Sequence, residues 1–210
     1  ERNIRFIAKP LGVIGALAPS TNPEATPVIK GIHAVKGRNS IIVAPHPRAK
    51  LTNKKICDLM RAALKKMGAP EDLVIGIETP SLETTNELMR QCDLVLATGG
   101  GAMVHAAYSS GSPALGVGVG NAVITVDDTA AEKIRLSKTL DLAASCSSDN
   151  SVVLLDGIYE PMLEKLKAQG GYLCNEEEKV ALRNTLWDEE LHLNTAIVAQ
   201  PPEKIAQMAG

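Results

Sequence analysis

Short apolar runs alternate with amphipathic stretches along the first half of the chain, and this alternation constrains the fold more than any other feature. Residues 12–18, 40–44, 73–77 and 93–97 are apolar and strand-like, and helix-like stretches with a polar face separate them. Gly, Pro and Ser stand at the short connections, and Ser81 is predicted to cap one helix. Strands joined through helices in this rhythm pair in parallel. We therefore predict an α/β fold with a parallel sheet covered by helices on both faces.

The alternation continues in the second half of the chain. Further strands are predicted at residues 113–117, 123–126, 152–155 and 196–198. Further helices are predicted at residues 129–141, 159–168 and 176–186. Ligands of parallel sheets bind beyond the carboxyl ends of the strands, so functional residues are expected in the loops that follow strands.

The composition favours a small-molecule partner. A chain of 210 residues with 45% hydrophobic residues can bury a sizeable core. A net charge of −2, with one Trp, three Tyr and one Phe, gives neither the basic surface nor the stacking platform of a nucleic-acid-binding protein. No apolar stretch approaches the ~18 residues of a membrane span. We expect a cytoplasmic protein that binds neither nucleic acid nor membrane.

A thiol between two predicted elements is the strongest candidate for a reactive group. Cys146 lies in a loop of small residues between a predicted helix and a predicted strand. A lone cysteine is more often structural than reactive, but the hydroxyl residues at 145, 147 and 148 leave room around this sulfur and can donate to a thiolate. A structural role suits the other three cysteines better, which are Cys57, Cys92 and Cys174. Because the four are widely spaced, we predict neither a disulfide framework nor a metal site.

Two glycine clusters bear on cofactor binding. The first, at residues 98–101, joins a strand to a helix, where glycine lets a pyrophosphate approach the helix N-terminus; a tight turn is the alternative. The second, at residues 116–121, leads into a strand and indicates a close backbone approach. The basic run at residues 46–66 is mostly a solvated helix face, and Arg48 and Lys50 before that helix are the better candidates for attracting a phosphate.

Six motifs occur in a fixed order along the chain. They are Pro19-Ser-Thr-Asn22-Pro23, Ala44-Pro-His-Pro-Arg48-Ala-Lys50, Leu96-Ala-Thr-Gly-Gly100, Met103-Val-His-Ala-Ala-Tyr-Ser-Ser110, Gly116-Val-Gly-Val-Gly-Asn121 and the loop around Cys146. Their order and spacing resemble those of the CoA-acylating aldehyde dehydrogenases, the group that includes the aldehyde dehydrogenase half of bifunctional aldehyde-alcohol dehydrogenases. Members of this group are longer at both ends, so we expect this chain to be a central piece of the fold.

The resemblance implies a fold, a mechanism and a set of site residues. A Rossmann-like sheet at residues 1–130 would bind the dinucleotide, and an α/β domain at residues 131–210 would carry the catalytic cysteine, both incomplete. The thiolate of Cys146 would attack the aldehyde, and Asn22 with the backbone N–H of Cys146 would bind the oxyanion; an Asx turn is the alternative role for Asn22. Hydride would then pass to NAD or NADP. The implied cofactor contacts are Pro45, His46, Arg48, Thr98, Gly99, Gly100, Met103 and Gly116.

Release of the resulting thioester separates two subclasses. Hydrolytic aldehyde dehydrogenases activate water with a glutamate in the segment that corresponds here to residues 113–118, yet no carboxylate occurs between Pro113 and Asn121. Transfer to the thiol of coenzyme A is therefore expected. The nearest acids, Asp127 and Asp128, are predicted to cap the following helix. Ala44 replaces a lysine of the hydrolytic enzymes, which leaves the choice between NAD and NADP open.

Small polar groups around the thiol bear on the substrate. Ser145, Ser147 and Ser148 suit a short aldehyde better than a long alkyl one. Similar segments occur in enzymes for short anionic aldehydes, so sulfoacetaldehyde is preferred and succinate semialdehyde is the alternative. His105 and Arg135 are candidate partners for the anion, with a helix-surface role as the alternative for each.

Two other functions stay open at this stage. They are an acyl-phosphate reductase of the same fold and a non-catalytic dinucleotide-binding or assembly module. The expected partners are a small aldehyde, coenzyme A and, in the full-length protein, further copies of the same chain in a homo-oligomer.

Overall fold

The first half of the chain forms the predicted parallel sheet. In this computed structural model, which describes residues 5, 7–127 and 129–210, the chain divides into two units, Glu1–Val119 and Gly120–Gly210. The strands of the first unit are β1 (Val13–Ala18), β2 (Ser40–Pro45), β3 (Val74–Gly76), β4 (Leu94–Thr98) and β5 (Ala114–Val117). They lie in the order β3-β2-β1-β4-β5, and each neighbouring pair is parallel. The predicted fold class is confirmed.

Helices cover both faces of this sheet, as predicted. They are α1 (Ala25–Lys36), α2 (Lys50–Lys66), α3 (Leu82–Gln91) and α4 (Gly101–Tyr108). Successive side chains of a strand point to opposite faces. Ile14 and Ala16 of β1 therefore pack with α1 and α2, whereas Leu17 packs with α3 and α4. Burial of each large apolar side chain in these two layers stabilises the fold by about 1.5–3 kcal/mol.

The order of the strands reverses at β1, and this reversal positions the ligand site. From β1 the sheet grows through β2 and β3 on one side, and then through β4 and β5 on the other. The connections that follow β1 and β4 therefore lead away from each other. They leave a crevice at the carboxyl edge of the sheet, which is where open α/β sheets bind ligands.

Two local features fix the connections between these elements. Ser81 caps α3, because its Oγ accepts the Thr84 N–H at 3.0 Å, which confirms the predicted cap. Gly12 precedes β1 with a φ of +129°, and a Cβ at this position would lie 2.1 Å from Oδ2 of Asp93. That same oxygen accepts the Val13 N–H at 2.7 Å. The start of β1 is thus held beside the start of β4.

The second unit is mainly helical. Its strands β6 (Val123–Thr125) and β7 (Ser151–Val153) form a two-stranded parallel sheet. Its helices are α5 (Ala131–Thr139), α6 (Asp156–Ala168), α7 (Glu176–Leu186) and α8 (Pro202–Ala209). No helix within residues 5, 7–127 and 129–210 is both long enough and apolar enough to cross a membrane. The boundary between the units is Val119 to Gly120, and the predicted domain boundary at residue 130 stays a prediction.

In the second unit one predicted strand was wrong, one helix was predicted two residues too long at its end, and one helix was not predicted. The predicted strand at 196–198 is a short 3₁₀ helix, Thr195–Ile197, in which the side chain of Asn194 accepts the Ala196 N–H at 3.0 Å. Three apolar residues suit a helical turn as well as a strand. The helix predicted to reach residue 141 ends at Thr139, and α8 was not predicted.

Asp127 and Asp128 were predicted to cap α5, and this prediction is wrong for Asp127. The N-cap residue is Ala130. The Oδ1 of Asp127 instead accepts the N–H and hydroxyl of Thr129, at 3.0 and 2.7 Å. These bonds favour the carboxylate and lower the pKa of Asp127. Asp128 lies outside the described residues.

Candidate active site

A cavity of about 130 Å³ opens at the carboxyl edge of the first unit, beside the ends of β1, β2 and β4. Five of the predicted cofactor contacts line it, namely Pro45, His46, Thr98, Gly99 and Met103. These residues belong to separate motifs of the sequence, and the parallel sheet brings them together because its strands end at one edge. The position agrees with the crevice expected where the strand order reverses.

The glycine cluster after β4 leaves its backbone open. A Cβ at Gly99 would make an ordinary contact with Met103 at 3.6 Å, and a Cβ at Gly100 or Gly101 would meet nothing within 4 Å. None of the three has a positive φ. Internal packing therefore does not explain why three glycines stand at the start of α4, whereas close approach of a ligand to the backbone would explain it.

His46 and Arg48 form a short polar turn at the end of β2. The Nδ1 of His46 accepts the Arg48 N–H at 3.2 Å. Partial desolvation, and then the charge of Arg48, lower the pKa of His46, so that the neutral imidazole is favoured. Arg48 is exposed and, like Gly100, stands beside the lining residues of the cavity without being one of them.

The start of α3 also lines this cavity, through Pro80, Ser81, Leu82 and Thr85. Ser81 was predicted only as a cap, and Pro80, Leu82 and Thr85 were not predicted to line a site. The signal was available, because this segment follows β3 and so must lie at the same carboxyl edge as the other loops.

A half-buried lysine of α1 was missed as well. The Nζ of Lys30 in α1 donates to the carbonyl oxygens of Leu17 in β1 and Leu96 in β4, at 2.8 and 2.7 Å. It therefore bridges β1, where the strand order reverses, and its neighbour β4. Burial lowers the pKa of Lys30 to about 8. Its position in the sequence could have indicated this. Lys30 follows Pro27 by three residues and precedes Ala34 by four, so it shares a helix face with these two buried residues.

Asn22 lies in the same unit, between β1 and α1. Its side chain is half-buried, and its backbone oxygen accepts the Thr26 N–H at 3.2 Å, at the start of α1. The residue thus follows a strand end at the carboxyl edge. Its role as an oxyanion donor stays a prediction.

Cys146 belongs to the second unit and lies at the corner of a turn. The turn is closed by the Ser148 N–H, which donates to the Ser145 carbonyl at 3.1 Å. Cys146 is exposed. The hydroxyls of Ser145 and Ser147 lie 2.9 Å apart, while Ser148 is only 8% exposed. The structure therefore presents the thiol to solvent among small polar side chains.

The remaining cysteines are less accessible. Cys57 and Cys92 are buried and Cys174 is half-buried. Burial raises the pKa of Cys57 to about 11 and also raises the pKa of Cys92. A thiol reacts as its thiolate, so these two buried groups are poorly suited to act as nucleophiles.

A strained segment precedes the turn of Cys146. Asp141, Leu142 and Ala143 have φ values of 52°, 53° and 57°. This left-handed conformation costs about 1–2 kcal/mol for each residue other than glycine. Such strain persists only where surrounding contacts hold it, and it is common at functional sites.

Gly116 in β5 cannot carry a side chain without movement of its neighbours. A Cβ at this position would lie 2.5 Å from Cγ1 of Val104 and 2.9 Å from Cε2 of Tyr108, both in α4. The Gly116 N–H also donates to the Tyr108 hydroxyl at 2.9 Å. Gly116 therefore packs against α4 and is not among the residues that line the cavity of the first unit.

The two candidate partners for a substrate anion lie in different units. His105 is exposed on α4. Arg135 lines a second cavity, of about 390 Å³, which lies between α5 and α6 and contains no other predicted site residue. Its Nε donates to Oε1 of Gln169 at 3.0 Å. A role for either residue at the substrate stays a prediction.

Comparison with known proteins defines the class to which this fold belongs. Residues 1–173 match the model of the aldehyde dehydrogenase family. The chain belongs to the aldehyde dehydrogenase family, which confirms the resemblance drawn from its motifs.

Two curated relatives are similar over the whole chain. A sulfoacetaldehyde dehydrogenase of Acholeplasma sp is 50% identical over 100% of this chain and 45% of that protein. A succinate-semialdehyde dehydrogenase (acetylating) of Clostridium kluyveri is 42% identical over 100% of this chain and 48% of that protein. The chain thus spans less than half the length of either relative.

Solved structures share the fold. An acetylating aldehyde dehydrogenase from Geobacillus thermoglucosidasius has a TM-score of 0.90 at 40% identity, over 97% of this chain and 46% of that one. A propionaldehyde dehydrogenase from Rhodopseudomonas palustris was solved with bound CoA and an acylated cysteine, and an engineered glycolyl-CoA reductase with bound NADP+. Each of these two has a TM-score of 0.86 at 30% identity, over 96% of this chain and 48% of its own.

Proposed function

We propose that this chain is the central part of an acylating aldehyde dehydrogenase that oxidises a short aldehyde to its acyl-CoA with reduction of NAD(P)+. In this proposal residues 1–130 bind the dinucleotide and residues 131–210 carry the nucleophile. The observation that carries it is the cavity at the carboxyl edge of the first unit, which five of the predicted cofactor contacts line. The exposed thiol of Cys146 supplies the nucleophile.

Cys146 and Asn22 carry the first chemical step. The sulfur of Cys146 forms a bond to the carbonyl carbon of the aldehyde, and the electron pair of the C=O bond moves to oxygen. The resulting oxyanion needs preorganised donors, which the side-chain amide of Asn22 and the backbone N–H of Cys146 would supply. Loss of one such donor typically lowers the rate by ~100- to 1000-fold.

Residues of the first cavity bind the cofactor in this proposal. Pro45, His46 and Thr98 shape its wall, and the open backbone at Gly100 suits a pyrophosphate. A nicotinamide cofactor held there would supply the hydride acceptor. As the hydride leaves the thiohemiacetal carbon, the electron pair of the oxyanion would re-form the C=O bond and leave an acyl thioester on Cys146. The neutral imidazole favoured at His46 adds no charge of its own to this wall.

The acyl group is proposed to leave on coenzyme A and not on water, because a base that could activate water is lacking. Residues 113–118, where the hydrolytic enzymes carry their glutamate, contain no carboxylate. The thiolate of coenzyme A can attack the thioester directly. The bond from the acyl carbon to the Cys146 sulfur breaks, and the thiolate of Cys146 is restored.

A short anionic aldehyde is the proposed substrate, with sulfoacetaldehyde preferred over succinate semialdehyde. The relative that is 50% identical carries the name of a sulfoacetaldehyde dehydrogenase, which supports this order. The small hydroxyls of Ser145 and Ser147 support a short substrate. The hydroxyl of Ser148, also predicted at the substrate, is buried and donates to the Ser137 carbonyl oxygen instead. We also propose that the full-length protein is a homo-oligomer of the cytoplasm.

The test uses the full-length protein that contains this chain. Reduction of NAD+ and of NADP+ is followed with sulfoacetaldehyde, succinate semialdehyde and propionaldehyde, each with and without coenzyme A. We expect turnover that depends on coenzyme A. Cys146→Ala should abolish it, whereas the matched control Cys174→Ala should retain it. Wild-type turnover in Cys146→Ala would show that the proposed nucleophile is wrong.

Two alternatives are separated by the same assay. An acyl-phosphate reductase would depend on inorganic phosphate instead of coenzyme A. A non-catalytic dinucleotide-binding or assembly module would bind NAD(P)H without turnover of any aldehyde in the panel.

A further inference from the structure

The turn that carries Cys146 is held on its carboxyl side by two polar residues from other elements. Ser137 of α5 makes two contacts with it. The Oγ of Ser137 accepts the Asp149 N–H at 3.0 Å, and its carbonyl oxygen accepts the Ser148 hydroxyl at 3.3 Å. Because Ser148 is buried, its side chain anchors the turn to the helix.

Asn121, which precedes β6, holds the next two residues, Asn150 and Ser151, at the entrance of β7. Its Oδ1 accepts the side-chain N–H of Asn150 at 2.6 Å, and its Nδ2 donates to Oγ of Ser151 at 3.1 Å. The Ala122 carbonyl oxygen accepts the backbone N–H groups of the same two residues, at 2.9 and 3.1 Å. Four successive residues after the thiol, 148–151, are therefore fixed by side chains or backbone outside the turn.

The amino side of the turn is different in character. Residues 141–143 enter it in the left-handed conformation, which is held only where other contacts compensate. The contacts of Ser137 and Asn121 lie directly after the thiol, at the opposite end of the turn. They are therefore in a position to keep the turn in place against relaxation of the strained segment.

We propose that Ser137 and Asn121 are positioning residues, which fix the turn so that the sulfur of Cys146 meets the carbonyl carbon of the substrate. This inference rests on the proposed function of Cys146 as the nucleophile. Neither residue touches the substrate in this proposal. Their effect should fall on the chemical step, because a displacement of about 1 Å at a reacting atom can lower the rate by ~100-fold.

The test compares variants of the full-length enzyme. Ser137→Ala and Asn121→Ala remove the anchors, and Ser137→Thr keeps the hydroxyl. Thr139→Ala is the matched control, since its hydroxyl donates to the Arg135 carbonyl within α5 and makes no contact with the turn. For each variant the measurements are kcat and KM for coenzyme-A-dependent oxidation, hydrogen exchange at the amides of 148–151, and the rate of alkylation of Cys146 by iodoacetamide.

We expect Ser137→Ala and Asn121→Ala to lower kcat by ~10- to 100-fold, with KM for NAD(P)+ within twofold of wild type. Exchange at 148–151 should become faster, and alkylation of the exposed thiol should not become slower. Ser137→Thr and Thr139→Ala should behave as wild type. Unchanged kcat together with faster exchange would refute the inference, because the anchors would then be purely structural.

The result for the wild-type enzyme separates the two proposals. An active wild type with unaffected anchor variants would overturn only the positioning roles. A wild type without coenzyme-A-dependent turnover would overturn the proposed function and the positioning roles together. Unchanged exchange in both anchor variants would show that the hydrogen bonds do not hold the turn, and would also overturn the inference.

Discussion

Substitution of Lys30 by Met should change how the stability of the chain depends on pH. In the folded chain the pKa of Lys30 is lowered from its ordinary value of 10.5 to about 8 by burial. Between these two values the unfolded chain binds more protons at this residue than the folded chain does. The free energy of unfolding of the wild type should therefore rise from about pH 8 to pH 10.5 through this group.

The magnitude follows from the change in proton affinity. A tenfold change corresponds to about 1.4 kcal/mol, so a fall from 10.5 to about 8 corresponds to about 3 kcal/mol. Cys57 acts in the opposite direction. Its pKa is raised from 9.0 to about 11, so its contribution falls as the pH rises between those values. Because Lys30→Met retains Cys57, the difference between the two chains isolates Lys30.

The assay is urea unfolding monitored by circular dichroism at pH values from 7 to 10.5. The wild type should gain up to about 3 kcal/mol relative to Lys30→Met over this range. Lys36→Met is the control, because Lys36 is exposed in the last turn of the same helix, and its curve should run parallel to that of the wild type. Parallel curves for wild type and Lys30→Met would refute the reasoning. They would mean that the bonds to the carbonyls of Leu17 and Leu96 offset the cost of burial.

Four further predictions concern single positions. Gly116→Ala should lower the free energy of unfolding by about 1–3 kcal/mol. Adding Val104→Ala to the same chain should recover part of this loss, and a double variant whose loss equals the sum of the two single losses would contradict the close contact. Ala143→Gly should stabilise the chain by about 0.5–1 kcal/mol, since the left-handed φ of 57° favours glycine; a destabilised variant in urea unfolding would oppose this. Ser81→Ala should lower the free energy of unfolding by about 1 kcal/mol in the same measurement, because the α3 cap is lost. An unchanged free energy of unfolding would show that the cap does not stabilise the chain. Gly100→Val should leave stability within about 0.5 kcal/mol but weaken NADH binding by at least ~10-fold in calorimetry, and unchanged binding would place the cofactor elsewhere.

The sequence allowed the sheet and much of the cofactor cavity to be predicted, because both depend on local patterns. The strand-like runs 40–44 and 93–97 end one residue before β2 and β4 do, at Pro45 and Thr98. Parallel pairing then places both residues at one edge. The prediction of a strand at 196–198 was wrong because it rested on only three apolar residues. A pattern of that length does not distinguish a strand from a helical turn.

Features that depend on the order of the strands were not predictable from local patterns. Lys30 contacts β1 and β4, which are neighbours in the sheet but are separated in sequence by β2 and β3. The closed position at Gly116 likewise depends on how α4 packs on β5. The absence of a glutamate from residues 113–118 was visible in the sequence alone.

Tyr108 has a second consequence, for association between sheets. β5 is the last strand in the order β3-β2-β1-β4-β5, and an edge strand can pair with a strand of another molecule through its unused backbone groups. The N–H of Gly116 is not available for such pairing, because it already donates to the Tyr108 hydroxyl. Many proteins protect an edge with lysine or proline. Here a tyrosine hydroxyl from the neighbouring helix occupies the donor, so the side chain that packs against Gly116 also discourages the addition of a sixth strand.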